Sequence, residues 1–286
     1  MTTRPFSPAS VRRRSARWLG GSLAAVLMLA SAPVAAAPIV SLKATYLISI
    51  SGLTVGRALV EGRFADGRYA TAISGTTFGV SRFVSDARAE MAGNGHVNGT
   101  RVLPANYNMQ TRESGFATLV RMAMEDGAVT AFEALPELVQ ATDRVPVDDT
   151  DLRGVVDPLG AFVVSLDRRH HRDGPRVCNR TVRVFDGWQR FDVQLFYRHD
   201  TELRGAYRGN AIVCGARYIP VAGHRPDRAA VRYMAQNKRL EVWVVPIEGT
   251  DIMVPYQLVI GTAVGDLMVT ARRFEVEENG EQTAIR

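Results

Sequence analysis

Arg190-Phe-Asp-Val-Gln-Leu-Phe-Tyr197 has the period of a half-buried strand. Phe191, Val193, Leu195 and Tyr197 fall on one face of an extended chain, and Arg190, Asp192, Gln194 and Arg198 take the other. Side chains alternate across a strand, so one face of this sheet should be apolar and the other wet. Near the start of the chain Tyr46, Ile48 and Ile50 repeat the pattern against Leu47 and Ser49. Between such runs stand Ser51-Gly52, Asp66-Gly67, Asn94-Gly95, Asp126-Gly127 and Asp186-Gly187. These pairs read as turns of an antiparallel meander, and Asp186-Gly187 as a tight type I′ hairpin.

Helical pattern is scarce. Asp157-Pro158, followed by Leu159, Phe162, Val163 and Leu166 at helical spacing, predicts a helix capped by Asp157. A second, shorter helix is expected from Asp227 through Ala230, Val231 and Met234, and a turn around Phe78 to Val84. Residues 135–150, with Pro136, Pro146 and Asp148-Asp149, read as an irregular connection. The expected fold is therefore mainly β: a strongly curled antiparallel meander, spiral or barrel-like, with one or two short helices. It should occupy residues 38–276 as a single domain, with a tail from 277 to 286.

Composition sets the class of protein. Of 286 residues, 46% are apolar and 22% charged, with no repeat, which is globular. The formal charge of +6 comes almost entirely from Arg4, Arg12, Arg13, Arg14 and Arg17; without these five, 30 of the 35 basic residues remain against 29 acidic ones. A balanced chain lacks the concentrated field that steers a protein to phosphates, so nucleic acid is not an expected partner. Residues 1–36 have the three parts of a secretory signal: Arg12-Arg13-Arg14, the apolar run from Leu19 to Ala30, and Val34-Ala35-Ala36. The apolar run, ~14 residues if extended to Ala32, is short of the roughly 20 that span a bilayer. Cleavage near Ala36, export by the Sec rather than the twin-arginine route, and a periplasmic mature chain without a transmembrane segment are the expectation.

Export changes how Cys178 and Cys214 are read, since an even pair in an oxidising compartment is a disulfide. Strands one and three of a flat meander are about 10 Å apart, whereas the bond needs Cα atoms within about 7 Å. A strongly curled sheet explains this most simply. The alternatives are a third strand lying outside the first, or Cys178 sitting in the loop after Pro175.

Catalytic patterns are few. Gly79-Val80-Ser81 continues into Arg82-Phe83, so it is not a nucleophile elbow. Gly93-Asn94-Gly95-His96 lacks the third glycine of a dinucleotide loop, and the five histidines have no metal-ligand spacing. No metal or cofactor is expected. Asp148, Asp149 and Asp151 read as a solvated loop, and Arg168 to Arg172 as a solvated helix end. Tyr46, Phe191, Tyr197 and Trp243 offer an aromatic face to a ligand, although on alternating strands such residues also serve as core. His224 with Asp227 is the one acid/base pair left to consider.

Several phrases occur in a set order: Tyr46 to Gly52 and on to Gly56, Leu103-Pro104, Asp157-Pro158-Leu159, Tyr218 through His224 to Pro226, and Trp243 through Asp251 to Tyr256. With these the chain resembles the bacterial family catalogued as domain of unknown function 3108, in its alphaproteobacterial form with a Cys pair. The resemblance implies an exported β-rich protein and carries over no catalytic residue. A more distant architectural analogy is to periplasmic β-spiral envelope-integrity proteins. The preferred function is non-catalytic binding of a lipid-like ligand or an envelope protein in support of envelope integrity. The alternative is a periplasmic hydrolase or transferase with its site near His224. N-terminal sequencing of protein from an osmotic-shock fraction should find a chain beginning near Ala37; an intact Met1 start in the cytoplasm would refute export.

Overall fold

The computed structural model describes residues 38–78, 86–138 and 142–282. The secretory signal and its cleavage site near Ala36 lie outside the described residues, as do positions 79–84 of the turn expected after Phe78. The chain forms two meanders. The first runs β1 (Val40–Ile50), β2 (Leu53–Ala65), β3 (Arg68–Thr77), β4 (Arg88–Asn98), β5 (Arg101–Glu113), β6 (Phe116–Glu125) and β7 (Ala128–Leu135). The second runs β9 (Arg180–Phe185), β10 (Arg190–Arg204), β11 (Arg208–Ala222), β12 (Leu240–Pro246), β13 (Ile252–Thr262) and β14 (Gly265–Glu278). They join where β1 pairs antiparallel with β14, so the spatial order is β7 through β1, then β14 through β9.

Turn chemistry explains most of the hairpins. Ser51-Gly52 and Asp126-Gly127 both hold two successive residues at positive φ, as a two-residue turn matched to strand twist requires. Asn94-Gly95 is different: it lies inside β4 at a bulge, where a Cβ on Gly95 would stand 2.4 Å from Leu103 O. The expected turn there gives way to a close approach of two strands. Asp186-Gly187 is not a type I′ pair either. β9 and β10 are joined by four residues, with Asp186 accepting from Trp188 N at 2.8 Å and Gln189 N at 2.7 Å. On β10 the expected wet face holds one exception, Arg190, which is buried and ion-paired with Asp192 at 2.5 Å. β14 runs past residue 276 to Glu278 and turns at Asn279-Gly280 into β15 (Glu281–Gln282), so the expected tail begins as strand.

The expected helix at Asp157 is a single 3-10 turn, Gly160–Phe162; Val163 is extended and leads into β8 (Val164–Ser165), which pairs with β13. Apolar residues at helical spacing here pack on two neighbouring elements instead of one helix face. Arg168–His170 forms its own 3-10 turn, capped by Asp167 through Arg169 N, rather than the end of a longer helix. The helix expected after Asp227 forms as α2 (Ala229–Gln236), which follows α1 (Gly174–Cys178) in the chain.

The two outer strands, β7 and β9, are not paired with each other. Residues 152–156 run between them. Val129 N donates to Leu152 O at 2.9 Å and Val155 N to Gly127 O at 2.9 Å, on the β6–β7 side. On the β9 side Val156 N donates to Arg183 O at 2.9 Å and Phe185 N to Val156 O at 3.0 Å. Around this seam pack Tyr107, Val120, Met122, Val155, Leu159 and Phe185, all buried. Phe132 of β7 meets Phe185 of β9 edge to face, with centroids 5.2 Å apart. The sheet is thus curled and stitched, not closed by direct pairing.

Cys178 and Cys214 are bonded, with Cα atoms 5.4 Å apart. Curl does not bring them together: β9, β10 and β11 are successive neighbours, and Cys178 ends α1, off the ladder and after Pro175. α1 lies on the face of β10, where a Cβ on Gly174 would fall 2.0 Å from the Tyr197 ring. Non-reducing peptide mapping should recover the two cysteines in one linked fragment. Cys214→Ser should lower stability by up to about 4 kcal/mol in urea unfolding, the entropy of a loop closed over 36 residues.

Candidate functional site

In the first meander the cross-strand row Ala44, Val60, Ile73, Met91, Met109, Val120 carries one apolar face over six strands. The opposite row, Lys43, Glu61, Ala72, Ala92, Asn108, Arg121, is polar or small. Val120 is fully buried, whereas Val60, Ile73, Met91 and Met109 are only half-covered. Beside that row is a cavity of about 190 Å³, walled by Val60, Ile73 and Tyr46 on one side, by Leu258 and Val269 on another, and by Phe162 of the 3-10 turn. The Tyr46 hydroxyl donates to Pro255 O at 2.5 Å, so its ring remains as apolar wall. Burial pushes the Tyr46 phenol pKa up, with the neighbouring Tyr256 adding to the effect.

The turn that walls this cavity is held by one buried carboxylate. Asp157, 1% exposed, accepts through Oδ1 from Leu159 N at 2.8 Å and Gly160 N at 3.1 Å. Its Oδ2 has no hydrogen-bond partner, and neither do the buried Tyr69 hydroxyl and Thr71 Oγ1. Gly160 is the only residue type that fits beside it, because a Cβ there would stand 2.9 Å from Asp157 Oδ2 and 3.2 Å from the Tyr69 hydroxyl. Burial raises the Asp157 pKa to about 6, against the opposing pull of the Gly160 and Leu159 amides. Tyr69 and Tyr107 are pushed up by burial and then by the Asp157 charge. Sequence reading took Asp157 for a helix cap; its burial beside the Tyr69 hydroxyl is signalled by no spacing.

The four aromatic residues expected to share a binding face do not. Tyr46 lines the cavity, but Tyr197 lies under α1 with its hydroxyl donating to Asp200 at 3.3 Å. Phe191 packs on Tyr218, ring centroids 5.2 Å apart. Trp243 pairs across its strand neighbours with Val213 and Gln257, which by alternation puts it on the face opposite Val242 and Cys214. His224 and Asp227 are not brought together. His224 is buried, with Nδ1 unpartnered, in a loop tied to Val145, whereas the Asp227 side chain is fully exposed and pairs with Arg232 at 3.8 Å. Gly223, at φ +75°, fixes that loop, since a Cβ would fall 1.9 Å from Trp188 O. Asp148 Oδ1 accepts from Thr150 N and Thr150 Oγ1 and so closes its own turn. Among the described residues no three His, Cys, Asp or Glu side chains converge as metal ligands, and no helix is long and apolar enough to cross a membrane.

These features define a mainly antiparallel, curled β protein with a disulfide and an apolar interior cleft. The chain belongs to the family described as "Protein of unknown function (DUF3108)", whose pattern matches residues 45–272. Among solved structures it is similar to a beta-barrel-like protein of domain of unknown function DUF1849 from Brucella abortus, with 10% identity, a TM-score of 0.49, and coverage of 85% of this chain and 98% of that one. No curated protein matches the sequence.

The Asp157 carboxyl gives a signed pH test. Its folded pKa lies above 3.8, so the folded chain holds the proton more tightly; that stabilisation is full below about pH 4 and lost as pH rises through about 6. Asp157→Asn keeps an acceptor for the two amides without the titration. Wild-type stability relative to Asp157→Asn should therefore fall by about 2 kcal/mol between pH 4 and 7. Asp186, also raised by burial, titrates in both proteins and cancels. Parallel urea-unfolding profiles across that range would refute the assignment.

Proposed function

We propose that this is an exported, periplasmic cell-envelope protein that binds the apolar part of an amphipathic ligand and performs no catalysis. The observation that carries the reading is the cavity between Val60, Ile73, Phe162 and Leu258, whose lining has almost no polar surface. An engineered cavity of roughly 150 Å³ lined by apolar side chains stays dry and takes up benzene, whereas sites for whole drug-sized ligands run to about 300–1,000 Å³. At about 190 Å³ the space suits a ring or the end of an acyl chain. The half-covered row Ile73, Met91, Met109 extends its apolar surface along the sheet, and Met is adaptable to varied ligand shapes. Export rests on the sequence of residues 1–36 and fits the disulfide. A hydrolase centred on His224 has no support in the geometry, because its expected partner Asp227 is held by Arg232 in solvent.

The neutral fluorophore N-phenyl-1-naphthylamine tests the cavity. It should bind the wild-type protein saturably, and Val60→Trp, which fills the space, should weaken binding about tenfold with the circular dichroism spectrum unchanged. Equal affinity in the folded variant would overturn the reading.

A further inference from the structure

The three most exposed large apolar side chains among the described residues are Phe116 at 80%, Val264 at 72% and Leu53 at 65%. All three stand on hairpin tips at one end of the sheet. In the antiparallel order β1, β5 and β13 run toward that end and β2, β6 and β14 leave it, so the turns at Ser51-Gly52, Ser114-Gly115 and Ala263-Val264 share it. Leu53 and Phe116 each directly follow a Ser-Gly pair at positive φ. That pair alone meets the needs of a two-residue turn, so the exposed apolar residue after it serves neither the turn nor the core. Neighbouring hairpins are tied together: Ser51 Oγ donates to Val264 O at 2.5 Å and Ser51 N to Asp266 O at 3.0 Å, and Ser114 N donates to Asp86 at 2.7 Å. The link from β11 to β12, which contains α2, reaches the same end, where Asn237 Nδ2 donates to Gly261 O at 2.8 Å.

That end is also basic. Arg57, Arg88, Arg112, Arg228 and Lys238 are exposed there, and none takes part in an ion pair among the described residues. Arg57 and Arg88 both pair across strands with Thr76, and Arg112 lies directly opposite Arg88, so three cations share one row. Such a row is unfavourable in water unless something anionic faces it. Its nearest acids are Asp86 and Glu90, two positions either side of Arg88, and Asp86 is engaged by Ser114 N. In the α2 link Arg225, Arg232 and Arg239 take up Asp143, Asp227 and Asp266, which leaves Arg228 and Lys238 over. At the opposite end Glu277, Glu278 and Glu281 gather where β14 turns into β15. The near-balance of the chain thus conceals a segregation of charge from end to end. Protein interfaces need a continuous packed core, whereas a bilayer accepts separate apolar points, each with cations at headgroup depth. We propose that this end docks on an anionic membrane surface, with Leu53, Phe116 and Val264 entering the headgroup region and the five cations facing lipid phosphates. The site is separate from the apolar cavity, whose walls contain none of these residues.

The test is co-sedimentation of the chain from Ala37 onward, a compact unit that holds every strand, with vesicles of phosphatidylglycerol or of phosphatidylcholine. Residues 1–36 are left out because their own apolar run would partition into either lipid. Pelleting should require phosphatidylglycerol and decline as salt is raised. Arg228→Gln combined with Lys238→Gln should weaken it about tenfold, and Leu53→Ser combined with Phe116→Ser and Val264→Ser about tenfold or more. All five positions are exposed, so the circular dichroism spectrum should not change in either variant. No pelleting, equal pelleting with both lipids, or unchanged binding in either folded variant overturns the proposal. A dimer that dissociates in the apolar-tip variant, without vesicle binding, also overturns it and assigns the tips to a second copy of the chain. N-phenyl-1-naphthylamine affinity should stay at the wild-type value in both variants, and Val60→Trp should pellet like the wild type, which separates failure here from failure of the apolar cavity.

Discussion

A sheet of thirteen strands in one unbroken path has two free edges, and the hydrogen bonds that residues 152–156 make to both of them are the constraint on which the rest of the fold depends. Unpaired edges invite pairing with other chains. Here β7 and β9 are too far around the curl to pair directly, so an irregular segment supplies the missing donors and acceptors. By doing so it fixes how tightly the sheet curls. The curl in turn decides which apolar residues face one another across the interior, including the edge-to-face contact of Phe132 with Phe185.

The same segment turns inward immediately after the seam, and Asp157 makes that change of direction possible. Its Oδ1 satisfies the amides of Leu159 and Gly160, which would otherwise enter the interior without partners. An orphaned buried amide costs about 1–3 kcal/mol, so two of them outweigh much of what burial of the carboxylate costs. Burial and amide donation pull the Asp157 pKa in opposite directions, and burial prevails. The unpartnered Oδ2 and Tyr69 hydroxyl are the residue of that compromise, since both crowd the position where a Cβ on residue 160 would stand.

One short turn therefore walls the apolar cavity. Leu159 and Phe162 face the apolar cavity, while Gly160 packs beside Asp157 and Tyr69. The disulfide acts on a different cluster of side chains. It clamps α1 onto the Tyr197 face of β10 and β11, and so covers with a helix a patch of sheet that the seam does not reach. Three core clusters result, around β1 and β14, at the seam, and beneath α1.

Period-two alternation in β1 and β10, the positive-φ turns at Ser51-Gly52 and Asp126-Gly127, α2, and the pairing of the only two cysteines were all legible in the sequence. Each depends on neighbouring residues or on simple counting. The faces of a strand follow from its own period, but its partners do not. That β1 pairs with β14, more than 200 residues away, was decided by the tertiary structure. So was the separation of Tyr46, Phe191, Tyr197 and Trp243, because what each one meets depends on its strand's neighbours and on whether α1 covers it: Tyr46 sits between β2 and β14, Tyr197 against Gly174 of α1, and Trp243 between Val213 and Gln257. Asp157 read as a helix cap, and locally it does cap a turn. Its burial comes from Tyr69, Pro104 and Tyr107, which approach from strands some fifty to ninety positions earlier, and no local pattern encodes the desolvation that such distant neighbours impose.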